Sequence, residues 1–200
     1  MNQITSIVPV LSNKTVLNLG YEVRISNNIE VIKSSDIIIL PGVGAFPEAI
    51  KKLRNLNLFN TIKECVNLKI KVIGICLGMQ LLFNKSYEFK KTSGLCILPG
   101  NVKKIKSNNN LILPHVGWNK VLYNKESKLR KFEKYSKKNF YFVHSYYAET
   151  FKSTKVLMYC FYNECKIPAL VKKNNIFAFQ FHPEKSGVYG LNILRDAIEY

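Results

Sequence analysis

The residue best placed for chemistry in this sequence is a cysteine between a strand-like and a helix-like segment. Cys76 ends an apolar run that begins at Val72, and the pattern becomes helical directly after it. Gly74 and Gly78 lie two residues before and two residues after the cysteine. This is the thiol form of the Gly-x-Ser-x-Gly nucleophile elbow, in which small neighbours allow a tight turn. The N–H groups that open the following helix favour a thiolate at this position.

The elbow alone leaves two interpretations of Cys76 open. It is either a nucleophile or a buried structural cysteine, because free cysteine is among the most buried residue types. A nucleophile needs a base, and the base needs an orienting group. His182 follows a strand-like run, and Glu184 can reach back to one of its ring nitrogens, which predicts a Cys-His-Glu triad. His144 is the rival base without such a carboxylate, and His115 is expected to pack or to fix a loop.

A glycine-rich segment follows another buried strand. Pro41–Gly44 ends an apolar run that begins at Asp36. The segment lacks the third glycine of a dinucleotide-binding loop, which disfavours that function. Because the carboxyl ends of parallel strands meet at one edge of a sheet, this loop is expected to lie beside Cys76. Backbone N–H groups near Val43 and at Leu77 are then predicted to form an oxyanion hole.

Composition indicates a globular chain that is long enough to form a sizeable hydrophobic core. The 200 residues are 47% hydrophobic, which fits one domain over residues 1–200. No apolar run is long enough to predict a membrane span, and the N-terminus does not predict a secretory signal. The net charge of +17 is mostly lysine without an arginine stripe, which favours a solvated basic surface over specific nucleic-acid binding. Five cysteines without metal-ligand spacing predict free thiols, no metal and a cytoplasmic location.

The order of the elements predicts an α/β sheet with a later antiparallel extension. Apolar spacing is helix-compatible over residues 3–18 and from Pro47 to Leu68, and a closing helix is predicted from Gly190 to Tyr200. Strand-like runs cover Tyr21–Ile25, Asp36–Leu40, Val72–Cys76, Leu95–Ile97, Val102–Ile105, Leu111–Leu113, Lys120–Tyr123, Asn139–His144, Lys155–Phe161, Ala169–Lys172 and Ile176–Phe181. Helices therefore alternate with strands first, and β-ribbon follows.

Several segments together resemble one known family. They are Gly-Ile-Cys-Leu-Gly-Met-Gln (74–80), Pro-Gly-Val-Gly-Ala-Phe (41–46), Pro-His-Val-Gly-Trp-Asn (114–119), Phe-Tyr-Phe-Val-His-Ser-Tyr-Tyr (140–147) and Phe-His-Pro-Glu-Lys-Ser (181–186). In this order they resemble the class I glutamine amidotransferases, and specifically the glutaminase subunits of imidazole glycerol phosphate synthase. The resemblance runs from about residue 2 to the C-terminus. It implies a flavodoxin-like fold with a mostly parallel central sheet and an antiparallel β extension.

The resemblance also implies a reaction and a site. Cys76, His182 and Glu184 would hydrolyse glutamine to glutamate and ammonia, and no cofactor is expected. The oxyanion hole would use Leu77 and the peptide around Val43. The resemblance assigns glutamine binding to Gly42, Gly44, Gln80, Glu88, Ser145 and Tyr146. Ammonia would pass to a (β/α)8-barrel cyclase subunit of histidine biosynthesis, which would meet Trp118, Tyr141 and Lys185.

Other interpretations remain open at this point. A paralogous glutaminase that feeds a sugar amidotransferase in surface polysaccharide synthesis would share all of these segments. An inactive binding subunit is a third possibility, because the family's first strand is expected to be missing: residues 1–7 match the end of the segment that follows that strand. A general cysteine hydrolase would leave Gln80 and the conspicuous glycine and tryptophan segments without a purpose. Trp118 and Tyr141 could also be ordinary core aromatics.

Overall fold

A computed structural model describes residues 3–7, 20–106, 112–151 and 153–200 of the protein. The described strands are β1 (Gln3–Ser6), β2 (Glu22–Ile25), β3 (Ile37–Gly42), β4 (Lys71–Cys76), β5 (Phe83–Ser86), β6 (Thr92–Ser93), β7 (Leu98–Lys104), β8 (His115–Tyr123), β9 (Asn139–His144), β10 (Tyr146–Thr150), β11 (Lys155–Tyr162), β12 (Cys165–Lys173) and β13 (Ile176–Phe179). The described α-helices are α1 (Ile29–Lys33), α2 (Phe46–Asn55), α3 (Leu58–Asn67), α4 (Leu77–Leu81) and α5 (Gly187–Ile198). Short 3-10 helices cover Lys125–Ser127, Arg130–Tyr135 and Pro183–Lys185.

The central sheet has the predicted mixed architecture. Its strand order is β2-β1-β3-β4-β13-β12-β11-β8-β9. The strands from β2 to β13 pair in parallel, and those from β13 to β9 pair antiparallel. A second sheet, β10-β7-β5-β6, carries the remaining β-ribbon. The prediction of a parallel sheet with an antiparallel extension is therefore confirmed.

The prediction that the first strand is missing is wrong. Gln3–Ser6 forms β1 between β2 and β3 and pairs in parallel with both. The main-chain groups of two neighbouring strands need partners, and this short segment supplies them. Thr5 adds a hydroxyl contact of 2.6 Å to Ser35. The helix predicted over residues 3–18 is accordingly wrong for residues 3–6, and residues 8–18 lie outside the described part of the chain.

The predicted helix from Pro47 to Leu68 is two helices. α2 ends at Asn55 and α3 begins at Leu58, because Asn57 between them adopts the left-handed conformation with φ of 58°. Asparagine tolerates this conformation better than most residues, so it can break an apolar pattern that continues through it. The longest described helix, α5, has 12 residues. Within the described ranges, no helix is long and apolar enough to cross a membrane.

Both faces of the parallel strands are buried, as the continuous apolar runs predict. Ile37 and Ile39 pack into one hydrophobic cluster, whereas Ile38 and Leu40 pack into the other. This alternation follows from the two-residue period of a strand. The first cluster contains the aromatic side chains of β9 and β13 together with α5, and the second contains α2, α3 and α4. The carboxyl ends of β3 and β4 are thereby held rigidly between two layers.

Most strands predicted for the second half of the chain are present at the predicted positions, but their lengths differ from the prediction. β9 has the predicted bounds, and β8, β11 and β12 are longer than predicted. Leu95–Ile97 is not a strand, because Cys96 adopts φ of 56° and interrupts the extended conformation. In the run predicted at 111–113, residue 111 lies outside the described part and residues 112–113 are not a strand.

Candidate active site

The predicted triad residues come from the ends of two neighbouring parallel strands. β4 ends at Cys76, and β13, which pairs with it, leads directly into His182. β3 lies on the other side of β4, with Gly42 paired to Cys76 in register. The three strand ends therefore converge at the carboxyl edge of the sheet, where ligands bind in open α/β folds.

Cys76 occupies a strained turn. Its φ and ψ are 53° and −113°, and Leu77 behind it begins α4. A Cβ on Gly74 would lie 2.8 Å from the Cα of Met79, and a Cβ on Gly78 would lie 1.7 Å from the carbonyl oxygen of Leu40. Both glycines are therefore required by close main-chain approach. Strained conformations of this kind concentrate at active sites, where the surrounding structure holds them.

His182 and Glu184 form the predicted pair. Nδ1 of His182 lies 2.7 Å from Oε1 of Glu184, and the side chains are 2% and 7% exposed. The pair is close because Pro183–Lys185 forms a short 3-10 helix, which turns the carboxylate back toward the ring. Because the carboxylate accepts a hydrogen bond, Nδ1 carries the proton, and Nε2 of the neutral ring is left as an acceptor.

The electrostatics of His182 determine where the catalytic proton can reside. Burial disfavours the charged ring, but the neighbouring Cys76 sulfur and Glu184 carboxylate outweigh burial and raise the pKa of His182 to about 9. Nε2 has no hydrogen-bond partner of normal geometry among the described residues, and Sγ of Cys76 lies 3.7 Å from the carbonyl oxygen of Val143. A proton moved from Sγ to Nε2 would therefore be held by the ring at neutral pH.

His144 lines the same cavity but is already committed to other contacts. Its Nδ1 lies 2.9 Å from the carbonyl oxygen of Tyr146, and its Nε2 lies 3.2 Å from Nδ1 of His115. A carbonyl only accepts, so His144 donates through Nδ1 and accepts through Nε2 from His115. His115 Nε2 then accepts from Nδ2 of Asn119 at 3.3 Å. Neither nitrogen of His144 is free to act as a base, and His115 packs, as one of the two roles predicted for it, because its ring stacks on Phe142 and Tyr162.

We expect this histidine pair to make the fold sensitive to acid. Burial lowers the pKa of His115 to about 4. The pKa of His144 is lowered to about 3, mainly by burial and then by the charge of His115. The two imidazole rings bind protons more readily in the unfolded chain than in the folded chain. Their contribution to stability is therefore present above about pH 6.5 and is lost as the pH falls below it. His115→Phe keeps the stacking on Tyr162 but leaves Nε2 of His144 without its donor. The variant should lose about 1–3 kcal/mol of unfolding free energy at pH 7.5.

Urea unfolding at pH 7.5 and pH 5 tests this expectation. Between pH 7.5 and pH 5, the free energy of unfolding should decrease less in His115→Phe than in the unmodified chain, because one of the two titrating histidines has been removed. An equally steep fall in both proteins would contradict the assignment of neutral, buried rings to this pair.

All but one of the predicted oxyanion and glutamine-binding residues line one cavity. It has a volume of about 450 Å³ and opens onto Cys76 and His182. Of the predicted residues, it is lined by Val43, Gly44, Leu77, Gln80, Glu88, Ser145 and Tyr146. Gly42 is not part of this lining; it lies in register with Cys76 and lines a second, more apolar cavity of about 530 Å³ behind the loop. The second cavity contains neither Cys76 nor His182 in its lining.

Gln80 and Glu88 also hold the walls of the cavity in place. Nε2 of Gln80 donates to the carbonyl oxygen of Tyr146 at 2.8 Å and to Oε1 of Gln180 at 3.1 Å. Oε2 of Glu88 accepts from the N–H of Phe46 at 2.7 Å, at the start of α2. An anion at this position is favoured by the helix dipole. Glu88 therefore ties the segment that follows the Gly42–Gly44 loop to the cavity.

Trp118, Tyr141 and Lys185 form one surface patch. Trp118 is 59% exposed and packs edge-on against Tyr141, with ring centroids 6.1 Å apart, so it is not a core residue. Nζ of Lys185 lies 5.7 Å from the centroid of the Tyr141 ring. The main chain of Tyr141 accepts from the N–H of His182 at 2.9 Å. The patch is thus joined directly to the strand end that carries the candidate base.

Other cavity residues escaped the sequence predictions. Phe89, Lys104, Pro114 and Val143 line the cavity, and Val143 receives the sulfur contact of Cys76. Val143 acts through its carbonyl oxygen, which every residue type has, so no sequence signal marks it. Lys104 lies in an alternating strand among other lysines, and its place opposite Tyr146 depends on the register of β7 with β10.

Comparison with known proteins agrees with the fold and with the family resemblance found in the sequence. Residues 6–199 match the family model for glutamine amidotransferase class-I. The chain is 45% identical over 183 residues to the imidazole glycerol phosphate synthase subunit HisH of Lactococcus lactis, covering 92% of this chain and 89% of the relative. It is 42% identical to the HisH subunit of Carboxydothermus hydrogenoformans, with 93% and 91% covered.

Solved structures share the fold at low sequence identity. A glutamine amidotransferase crystal structure superposes with a TM-score of 0.75 at 16% identity, covering 98% of this chain and 97% of the other. The PurLQS structure from Thermotoga maritima superposes with a TM-score of 0.70 at 17% identity, covering 100% and 99%. The matched family model spans nearly the whole chain and the curated relatives exceed 40% identity. The chain belongs to the class I glutamine amidotransferase family.

Proposed function

We propose that the chain is the glutaminase subunit of an imidazole glycerol phosphate synthase. The observation that carries this proposal is the convergence of Cys76 and His182 at one cavity that is also lined by the predicted oxyanion loop, with Glu184 held 2.7 Å from Nδ1 of His182. The HisH relatives support it, because their similarity extends over about nine-tenths of both chains. We also propose one amidotransferase domain over residues 1–200 and a cytoplasmic location, for which the free cysteines are the support.

The first half of the proposed reaction forms a thioester. Sγ of Cys76 attacks the side-chain carbonyl carbon of glutamine, and the C–S bond forms. The oxyanion that develops is stabilised by N–H groups of Leu77 and of the loop at Val43. The C–N bond then breaks as Nε2 of His182 gives its proton to the departing nitrogen, which leaves as ammonia. A ring whose pKa is raised to about 9 holds this proton at neutral pH until it is needed.

The second half of the proposed reaction regenerates the enzyme. A water molecule attacks the thioester carbonyl while Nε2 of His182 accepts one of its protons. The C–S bond breaks, glutamate leaves, and Cys76 returns as a thiolate beside the imidazolium. Glu184 orients the ring in both steps through its 2.7 Å contact with Nδ1.

The proposed partner is a (β/α)8-barrel cyclase subunit that binds the patch of Trp118, Tyr141 and Lys185. An exposed tryptophan beside a tyrosine is typical of the anchor residues of protein interfaces, and Lys185 adds a charge at their edge. The hydrogen bond from His182 to the main chain of Tyr141 joins this patch to the strand end beside which ammonia would be released. Docking there would seal the exit from bulk water.

The test is glutamate release from glutamine by the chain alone and in mixture with a barrel-type cyclase subunit and its nucleotide ligand. We expect release to be stimulated by the liganded cyclase and to be lost in Glu184→Ala. Trp118→Ala should weaken the complex by about 1–3 kcal/mol, which is about 5- to 150-fold in Kd, because interface tryptophans carry such energies. Calorimetric titration of cyclase into chain measures this.

Matched controls separate the interface from the rest of the surface. Phe161→Ala removes another exposed aromatic, on β11, and should leave the affinity unchanged. A mixture without cyclase-dependent release would contradict the histidine-pathway assignment and favour the paralogous role with a sugar amidotransferase. The same weakening by both substitutions would contradict the proposed docking patch.

A further inference from the structure

Two oppositely charged side chains face the cavity beside the candidate nucleophile. Among the described lining residues, Glu88 is the one carboxylate and Lys104 is the one amine. Lys104 has no ion pair with any described residue, whereas its neighbour Lys103 pairs with Glu149 at 2.6 Å. A cation that lines a substrate cavity without a protein counter-ion is available to an anionic group of the substrate.

The register of the second sheet explains how Lys104 reaches the cavity. β7 pairs antiparallel with β10, and Lys104 lies directly opposite Tyr146. Side chains of directly opposite residues lie on the same face of an antiparallel pair, so Lys104 and Tyr146 line the cavity together. Lys103 lies opposite Tyr147, and its side chain therefore points to the other face.

Glu88 lines the same cavity as Lys104 and Tyr146. Burial and then the charge of Glu88 raise the pKa of Tyr146. One oxygen of Glu88 accepts from Phe46 N–H, and the other is free of that contact. An anion and a cation are thus both present in the lining of the cavity.

Glutamine carries a matching pair of charges. Its α-ammonium group and α-carboxylate are separated by one carbon, while the amide that reacts lies at the other end of the side chain. With the amide at Cys76, Glu88 is the lining group that suits the ammonium, and Lys104 is the one amine of the described lining that suits the carboxylate. We propose that Lys104 binds the α-carboxylate of glutamine and so makes the site specific for the free amino acid; this rests on the proposed glutaminase function.

Loss of Lys104 should weaken the binding of glutamine without slowing the chemical step. Lys104 touches the end of the substrate that does not react, so its loss removes binding that is equal in the ground state and the transition state. Lys104→Met should raise the KM for glutamine about tenfold and change kcat less than about twofold, since one charge-assisted hydrogen bond is lost at an exposed position. Lys104→Arg should restore most of the affinity, and Lys103→Met should behave like the unmodified chain.

A substrate without the carboxylate provides the decisive comparison. In L-glutaminamide the α-carboxylate is replaced by a neutral amide, so ammonia release from its side chain should be the same in the unmodified chain and in Lys104→Met. The KM for L-glutamine in the unmodified chain should also rise with salt, whereas that of Lys104→Met should not. A loss that is equal for both substrates would overturn the proposal.

A binding measurement separates this proposal from the proposed function. Calorimetry on Cys76→Ala and on Cys76→Ala/Lys104→Met measures the Kd for L-glutamine without turnover. A Kd about tenfold higher in the double variant supports the proposal. Equal Kd values overturn the role of Lys104 and leave the glutaminase intact. Absence of glutamine binding by both proteins overturns the proposed function and this assignment together.

Discussion

Replacing Cys76 by alanine should abolish glutamine hydrolysis while the chain remains folded. The expected loss in kcat is about 10⁴-fold or more, because removal of one member of a nucleophile–base pair disables the whole unit. The thiol is only 6% exposed and makes one long contact, 3.7 Å to the carbonyl of Val143, so its removal should cost little stability. Glutamate release in the complex with the cyclase measures the loss, and urea unfolding measures the stability.

A second buried cysteine provides the matched control. Cys160 is fully buried, and burial raises the pKa of its thiol to about 12, with a further contribution from Cys165. Cys160→Ala should keep glutaminase activity and should lose stability instead, by about 1–3 kcal/mol for the vacated core volume. A glutamine-analogue electrophile should label the unmodified chain and Cys160→Ala but not Cys76→Ala. Glutamate release by Cys76→Ala at more than a hundredth of the normal rate would rule out the thiol mechanism.

The loss should also be specific to glutamine. An acceptor reaction driven by added ammonium salt bypasses Cys76, so the complex that contains Cys76→Ala should still make product from ammonia. If ammonia-driven synthesis fell together with glutamine-driven synthesis, the substitution would have damaged the docking of the two subunits and not only the chemistry.

The proposed triad could be predicted because its members are marked by local sequence patterns. Cys76 lies at a strand end between two glycines, and His182 lies at a strand end two residues before a carboxylate. Both signals depend on the chain within a few residues. The rule that parallel strand ends share one edge then brought them together without knowledge of the strand order.

The features that sequence reasoning missed depend on distant main-chain partners. β1 is only four residues long, and it is extended because β2 and β3 both need a neighbour there. The direction of the hydrogen bonds through His115 and His144 depends on the carbonyl of Tyr146, which has no side-chain signature. The break at Asn57 is a single left-handed residue inside a continuous apolar pattern. None of these could be recognised from spacing alone.

The second large effect is expected at Gly78, where the elbow touches the neighbouring strand. A Cβ on this residue would lie 1.7 Å from the carbonyl oxygen of Leu40 and 2.7 Å from its carbonyl carbon. Main-chain atoms of a buried central strand cannot move aside cheaply, because that strand packs in both hydrophobic clusters. Gly78→Ala should therefore lower the free energy of unfolding by about 3–5 kcal/mol.

The fraction of Gly78→Ala that stays folded should also be inactive. The clash can be relieved if β3 and α4 move apart, and that movement separates the loop at Val43 from Leu77, the two proposed sources of the oxyanion hole. Gly20→Ala is the control: Gly20 has φ of 83°, but no described atom lies within 4 Å of the position that an alanine methyl group would occupy there. It should cost about 1 kcal/mol from backbone strain and keep full glutamine hydrolysis. If urea unfolding showed the same loss of unfolding free energy for Gly78→Ala and Gly20→Ala, glycine would be needed at the elbow to avoid backbone strain and not to allow the close approach of α4 to β3.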